Sequence, residues 1–188
     1  MTTSNPKEIV EQILQARWHS TISGKAQTYV GQFFDAFTLR QGVYAKVQGN
    51  HGIYRVSIFP GNKNVSATCS CYIGKSGYCH HCEALAHAFL LYPETFTAIP
   101  KYTMADVSAA TTPERIHSVV RSLALAAVIE ELEQNNMNLK GIAVSMGVSE
   151  QKIRSLIKKE RQQGIIDDLT PLKLACVWLL QKFGSRGA

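Results

Sequence analysis

Apolar residues recur along this chain with two periods, and each change of period predicts a change of element. Ile9, Val10, Ile13 and Leu14 repeat at helical spacing behind Asn5, Pro6 and Glu8. A capping asparagine, a proline in the first turn and a glutamate three positions after the cap predict a helix starting there. Ala26, Tyr29, Val30, Phe33, Phe34 and Phe37 continue the helical period and predict a second helix, with a partly extended alternative because aromatics crowd so short a stretch. The period then drops to two. Val43, Ala45 and Val47 alternate with Tyr44, Lys46 and Gln48, Gly49 to Gly52 reads as a turn, and Tyr54, Val56 and Ile58 alternate again, which predicts a hairpin. A second turn over Pro60 to Asn64 leads into a third strand, Val65 to Cys69. Cys82, Leu85, Ala86, Phe89 and Leu90 return to the helical period and predict a helix packed on the sheet.

Large apolar residues then thin out. Residues 98–112 are rich in Ala, Ser and Thr and read as a linker between an N-terminal domain, 1–97, and a helical domain, 113–188. Thr112-Pro113-Glu114 opens one long predicted helix with Ile116, Val119, Val120, Leu123, Ala127 and Ile129 near one face, ending by Asn135-Asn136. Residues 138–163 then place a small residue, Ala143, where two helices would cross, a glycine, Gly147, where the chain must turn left-handed, and Ile153 where a second helix would close the core. That spacing resembles a helix-turn-helix, with Ser149 capping its second helix. Gly164-Ile165-Ile166 resembles the short strand of a winged helix, but Asp167-Asp168 and Thr170-Pro171 leave no room for an ordinary wing. Leu172, Leu174, Ala175, Trp178 and Leu179 form a last helix, able to cover the core or to make a homodimer contact.

Composition narrows the picture. The 188 residues, 45% of them hydrophobic, can bury one moderate core or two small ones, and a net charge of +6 leans towards a polyanionic partner. The two halves are equally basic, eight Lys/Arg against five Asp/Glu over 1–97 and twelve against nine over 98–188. Clustering is therefore more telling. Lys140, Lys152, Arg154, Lys158, Lys159 and Arg161 face only Glu150 and Glu160 within 139–163. With Ile153, Leu156 and Ile157 turned inward, Gln151, Lys152 and Ser155 become candidates for base contacts, and Arg154, Lys158, Lys159 and Arg161 candidates for phosphate contacts. Most charge runs are simply the wet side of a helix; here the run coincides with the turn spacing, which favours DNA. No secretory signal pattern and no apolar run of membrane-spanning length is present, so a cytoplasmic location without membrane contact is expected.

Four of the five cysteines fall between Cys69 and Cys82. In a reducing compartment such a cluster is more often a metal site than a set of disulfides, and the remaining Cys176 reads as core. Cys69-Ser70-Cys71, seven residues, then Cys79-His80-His81 is a pair, a loop and a pair, the layout that aims four soft ligands at one tetrahedral Zn²⁺. Because Cys82 begins the apolar stripe, His81 is the preferred fourth ligand; an all-thiolate site through Cys82 stays open on spacing alone, and His80 or His87 also lies within reach. Glu83 reads as a solvent-facing residue, and His19, His51 and His117 as isolated.

Cys69-x-Cys71, a short loop and Cys79-x-His81 running into an Ala/Leu-rich helix resemble the SWIM-type zinc finger, whose pattern is C-x-C, a spacer, then C-x-H. The hairpin strands Val43 to Gly49 and Tyr54 to Ile58 also look like that family's, so the resemblance covers about residues 20–92. His80 stands where the family often has a basic residue. The resemblance implies Cys69, Cys71, Cys79 and His81 as ligands of one structural zinc. It also implies DNA binding or protein–protein contacts in chromatin, transposition and recombination contexts.

The expected fold class is α+β: a small antiparallel sheet and helices around a structural zinc, followed by an all-α helix-turn-helix-like domain. The expected function is DNA binding, as a regulator or as an accessory factor in DNA recombination or rearrangement. The alternative is a protein-binding adaptor using the zinc finger and the last helix. No phosphate loop, nucleophile elbow or zinc-plus-glutamate hydrolase motif is present, and four protein ligands leave a zinc no open position, so no enzymatic activity is expected.

Overall fold

The computed structural model describes residues 5–18, 21–61, 64–74, 77–163 and 169–183. The chain divides into two compact units, Met1–Pro100 and Lys101–Ala188. The first is mixed α and β. Its opening helix α1, Pro6–Arg17, begins at the expected cap: the Asn5 side chain accepts the Glu8 N–H at 3.0 Å, and the Glu8 carboxylate accepts the Asn5 N–H at 3.2 Å. Ile9, Val10, Ile13 and Leu14 are buried against the sheet side of the unit.

The predicted second helix gives way to the partly extended alternative. Only Gly24–Gln27 is helical (α2), and Phe33–Leu39 is a strand, β1. Phe33 pairs with Val47 and Phe37 with Tyr44 across the sheet, with the Phe37 and Tyr44 rings stacked at 5.1 Å. The helix-like spacing has a definite origin. A bulge between Phe34 and Phe37 inserts an irregular step, so the aromatics lose their alternation and imitate a helical period. Pairing with a neighbouring strand outweighs so weak a local pattern.

Strands β2, Gly42–Gly49, and β3, Gly52–Pro60, form the predicted hairpin, with Val43 opposite Ile58 and Ala45 opposite Val56. Strand β4, Val65–Cys69, pairs antiparallel with β3 and places Cys69 opposite Val56. Helix α3, His80–Leu91, follows as expected and buries Cys82, Leu85, Ala86 and Phe89. A short strand β5, Thr97–Ile99, runs parallel to β1 and completes a sheet of order β4-β3-β2-β1-β5. Helices α1 and α3 pack on this sheet over a core of valine, isoleucine and alanine from the central strands.

The residues read as a linker, 98–112, therefore carry structure: the end of β5 and helix α4, Ala105–Ala109. Tyr102 is buried there, with the Arg115 guanidinium 4.5 Å over its ring and donating to its hydroxyl at 2.8 Å. A composition poor in large apolar residues concealed a segment held by one aromatic and by an Asp106 carboxylate that accepts from Thr103.

In the second unit the single long helix predicted after Pro113 is broken into α5, Pro113–Ser122, and α6, Leu125–Gln134. Leu123 and Ala124 are extended between them, and the Leu125 N–H is taken by the Glu160 carboxylate at 2.7 Å. A carboxylate 35 positions away caps α6, which local sequence cannot announce. Helices α7, Leu139–Ser145, and α8, Glu150–Gln163, are joined by residues 146–149. Gly147 sits at φ +62°, and the Val148 N–H returns to the Ala143 carbonyl at 3.0 Å, a glycine-terminated helix end. The Lys152 N–H donates to the Ser149 hydroxyl at 3.2 Å, the expected cap of α8. Gly164 to Ile166, weighed above as a wing strand, lies outside the described residues.

The last helix, α9, Thr170–Phe183, is turned differently from expectation. Its buried side carries Lys173, Cys176, Val177 and Leu179, whereas Leu174 and Trp178 are 46% and 54% exposed. An apolar count could not see this face, because one of its members is a lysine. Among the described residues no helix is long and apolar enough to cross a membrane.

Candidate metal centre

Strand β4 delivers Cys69 at its last position and Cys71 two residues later, while Cys79 is the N-cap of α3 and His81 lies in that helix's first turn. The sheet edge and the helix start thus aim two short pairs at one point. The donor atoms of Cys69, Cys71, Cys79 and His81 all lie within 4.8 Å of one another, and all four residues are buried. His81 presents Nδ1, which is 3.7 Å from the Cys69 sulfur and 3.8 Å from the Cys79 sulfur. A tetrahedral zinc with the usual bond lengths requires edges of about 3.8 Å between sulfurs and about 3.5 Å from sulfur to nitrogen. Three thiols and one imidazole at these spacings fit such an ion. The cluster can hold a metal.

The backbone prepares the sulfurs for negative charge. Cys71 donates its N–H to the Cys69 sulfur at 3.5 Å, and Gly74 donates to the Cys71 sulfur at 3.1 Å. Hydrogen bonds from Cys69 and then Cys82 favour the Cys79 thiolate and push its pKa down, while Cys69, donating to Cys79 and buried, is pushed up. Cys71 is also raised, chiefly by burial. Sulfurs this close share one negative charge among themselves unless a cation compensates the others, so loading a divalent ion should release protons.

Cys82 is fully buried, and its sulfur lies 3.6 Å from that of Cys79, yet it falls outside the set of mutually adjacent donors. His80 is half-buried, with its ring stacked on Tyr29 at 5.4 Å and its pKa lowered by burial; neither it nor His87 belongs to the set. Glu83 corrects an expectation outright. It is buried, and its two carboxylate oxygens accept the N–H and the hydroxyl of Ser23, both at 2.7 Å. This pins the start of α2 to α3 and so steadies the segment that brings the Tyr29 ring edge-on to His81, at 4.6 Å. Tyr54 flanks the same imidazole at 5.1 Å. The aromatic residues were visible in the sequence as hydrophobic positions, but nothing local linked them to the histidine.

The spacer carries a further requirement. Gly77 adopts φ +77°, and a Cβ there would overlap the Ala67 carbonyl. A left-handed alanine costs about 1–2 kcal/mol before any overlap is counted. Gly77→Ala is therefore expected to weaken metal binding at this site by roughly tenfold or more, measured with zinc by competition with a chromogenic chelator. Gly24→Ala, where an added Cβ meets nothing within 4 Å, should bind as the wild type does; equal affinities in the two variants would mean that the loop tolerates a side chain.

No protein-family model, curated protein or solved structure matches this chain. The case for the metal centre rests on its geometry.

The positions weighed as a DNA-contacting set lie on α8 in the other unit. Gln151, Lys152, Arg154, Ser155, Lys158 and Arg161 are exposed, but Lys159 is half-buried, a departure from the outer face expected for it. Glu160 is buried and ion-paired with Lys173 at 2.6 Å. Helical geometry explains both: positions 153, 156, 157 and 160 form the inward stripe, and 159 flanks it. Withdrawing Glu160 leaves the exposed side of α8 more basic than the sequence count implies, with Glu150, 3.9 Å from Arg154, the acid at its start.

Proposed function

We propose that this protein is a zinc-stabilised DNA-binding factor: a SWIM-type module holding one structural zinc through Cys69, Cys71, Cys79 and His81, followed by a helix-turn-helix formed by α7 and α8. The zinc joins the end of β4 to the start of α3 and takes no part in catalysis, because four protein ligands leave it no open position. Its support is the buried, mutually adjacent three-thiol, one-imidazole donor set. On duplex DNA, Gln151, Lys152 and Ser155 near the start of α8 reach base edges while Arg154, Lys158, Lys159 and Arg161 neutralise phosphates. The half-buried Lys159 makes the weakest of these contacts. The single observation that carries the DNA reading is the exposed basic face of α8, placed directly after the Gly147 turn and freed of Glu160. The role best suited to such a factor is regulation, or assistance in DNA recombination or rearrangement.

Binding to random duplex followed over a salt series tests this reading. The double variant Lys158→Ala, Arg161→Ala is expected to flatten the log–log salt slope by about one to two units. An unchanged slope would remove α8 from the interface.

A protein-binding adaptor is favoured instead by one feature of α9. Leu174 and Trp178 are exposed beside an apolar cavity of about 260 Å³ lined also by Ile116, Val119 and Val177. A partner protein, or a second copy of this chain, could cover that surface. Absence of duplex binding even at low salt would select this reading.

A further inference from the structure

Cys82 has no place in the proposed zinc shell, yet its thiol lies against one of the ligands, Cys79. Cys79 is the N-cap of α3 and Cys82 lies three residues on, within the helix's first turn, so the two side chains emerge on the same side of the helix start. Their sulfurs are 3.6 Å apart, and both residues are buried. A disulfide needs about 2.05 Å, so the two sulfurs must close by about 1.5 Å to form one. No such neighbour is required for a structural zinc site.

We infer that Cys82 is a resolving thiol, making Cys79 and Cys82 a peroxide-oxidisable pair whose disulfide releases the zinc. This rests on the zinc reading above. The sulfur of Cys79 attacks one oxygen of hydrogen peroxide; the O–O bond breaks, a sulfenic acid forms, and hydroxide leaves. The Cys82 thiol then attacks that sulfur, the S–O bond breaks, and the hydroxyl leaves as water with the thiol proton. The pair loses two electrons and the peroxide gains them. A sulfur in a disulfide is a poor zinc ligand, so the ion is left with Cys69, Cys71 and His81 and dissociates. A dithiol reductant reverses the step by exchange through a mixed disulfide. With Cys82 in place, oxidation stops at the reversible stage; without it, Cys69 and Cys71, occupied by the zinc, are the thiols left near the sulfenic acid, and more of it proceeds to irreversible forms.

The test uses the full-length chain with its zinc content measured first. A chain that purifies and reconstitutes without zinc would overturn the zinc reading itself. With one equivalent bound, hydrogen peroxide is added, zinc release is followed with a chromogenic chelator, and disulfides are located by peptide mass mapping. The expected result is a Cys79–Cys82 disulfide formed in step with zinc release, and recovery of one equivalent after dithiothreitol and zinc are added. Cys82→Ser and Cys82→Ala should each bind one equivalent beforehand and lose most of that recovery, at least tenfold less than the wild type. The inference is overturned, with the zinc reading intact, if the disulfide joins a different pair or none forms. Full recovery in both variants would equally overturn it. Failure of both to bind zinc would make Cys82 a ligand rather than a resolving thiol.

Discussion

Cys69→Ser is expected to leave the protein with well under one equivalent of zinc and to loosen the first unit while the second stays folded. Binding of a structural zinc contributes about 10–16 kcal/mol of apparent free energy in small modules, comparable with the whole net stability of a unit of this size, about 5–15 kcal/mol. Cys69 is the ligand with most to lose. It ends β4, sits opposite Val56 in the sheet, and stands 3.7 Å from the His81 nitrogen, so its sulfur is the link between sheet edge and helix start. Elemental analysis reads the metal, and a calorimetric melt resolves the two units. The transition of the first should fall to low temperature or vanish, and that of the second should not move. Full zinc retention with both transitions unchanged would dismiss the metal as the clasp of this fold. Cys176→Ala serves as the control: Cys176 is buried in the second unit, its thiol pushed up to about 12 by that burial, and its loss should not alter zinc content.

What could be read from sequence was whatever depended on neighbours in the chain. The α1 cap, the β2–β3 hairpin, the Gly147 turn and the grouping of Cys69, Cys71, Cys79 and His81 all arise from residues a few positions apart, or from two short pairs joined by a loop. What escaped was decided by partners far along the chain. Phe33 to Phe37 became a strand because β2 was there to pair with them and a bulge hid their alternation. Glu83 turned inward because Ser23, 60 positions earlier, offered it two donors. The break before Leu125 and the inward turn of Glu160 are one event seen from two ends. In the last two cases a polar group satisfied at long range overrode a hydrophobicity pattern that treats every charge as solvent-facing. The same oversight applies to α9, whose inner face begins with the buried Lys173.

That lysine supports the other large prediction. Lys173 is fully buried, and its ammonium lies 2.6 Å from Glu160, whose other oxygen accepts the Leu125 N–H. One carboxylate on α8 therefore ties α9 by charge and α6 by its open helix end. Lys173→Ala leaves Glu160 buried without its cation and should destabilise the second unit by about 3–5 kcal/mol, the usual consequence of removing one partner from a buried pair. The double variant Lys173→Met, Glu160→Gln removes both charges, keeps an acceptor for the Leu125 N–H and preserves volume. It should recover most of the loss and come within about 1 kcal/mol of the wild type. Urea unfolding followed by circular dichroism, with the two transitions fitted separately, measures both. A single variant as stable as the wild type would mean that the ammonium and carboxylate are hydrated and contribute little. A double variant as unstable as the single would shift the cause from unpaired charge to lost packing. If the pair instead behaves as expected, α8 is anchored from its inner side by an interaction that leaves its exposed cations, Lys152, Lys158 and Arg161 among them, to the proposed outer one. On the proposed DNA reading, affinity should then follow the stability of the wild type and the two variants, because a helix that rocks in its seat presents its cations to phosphates at variable distance.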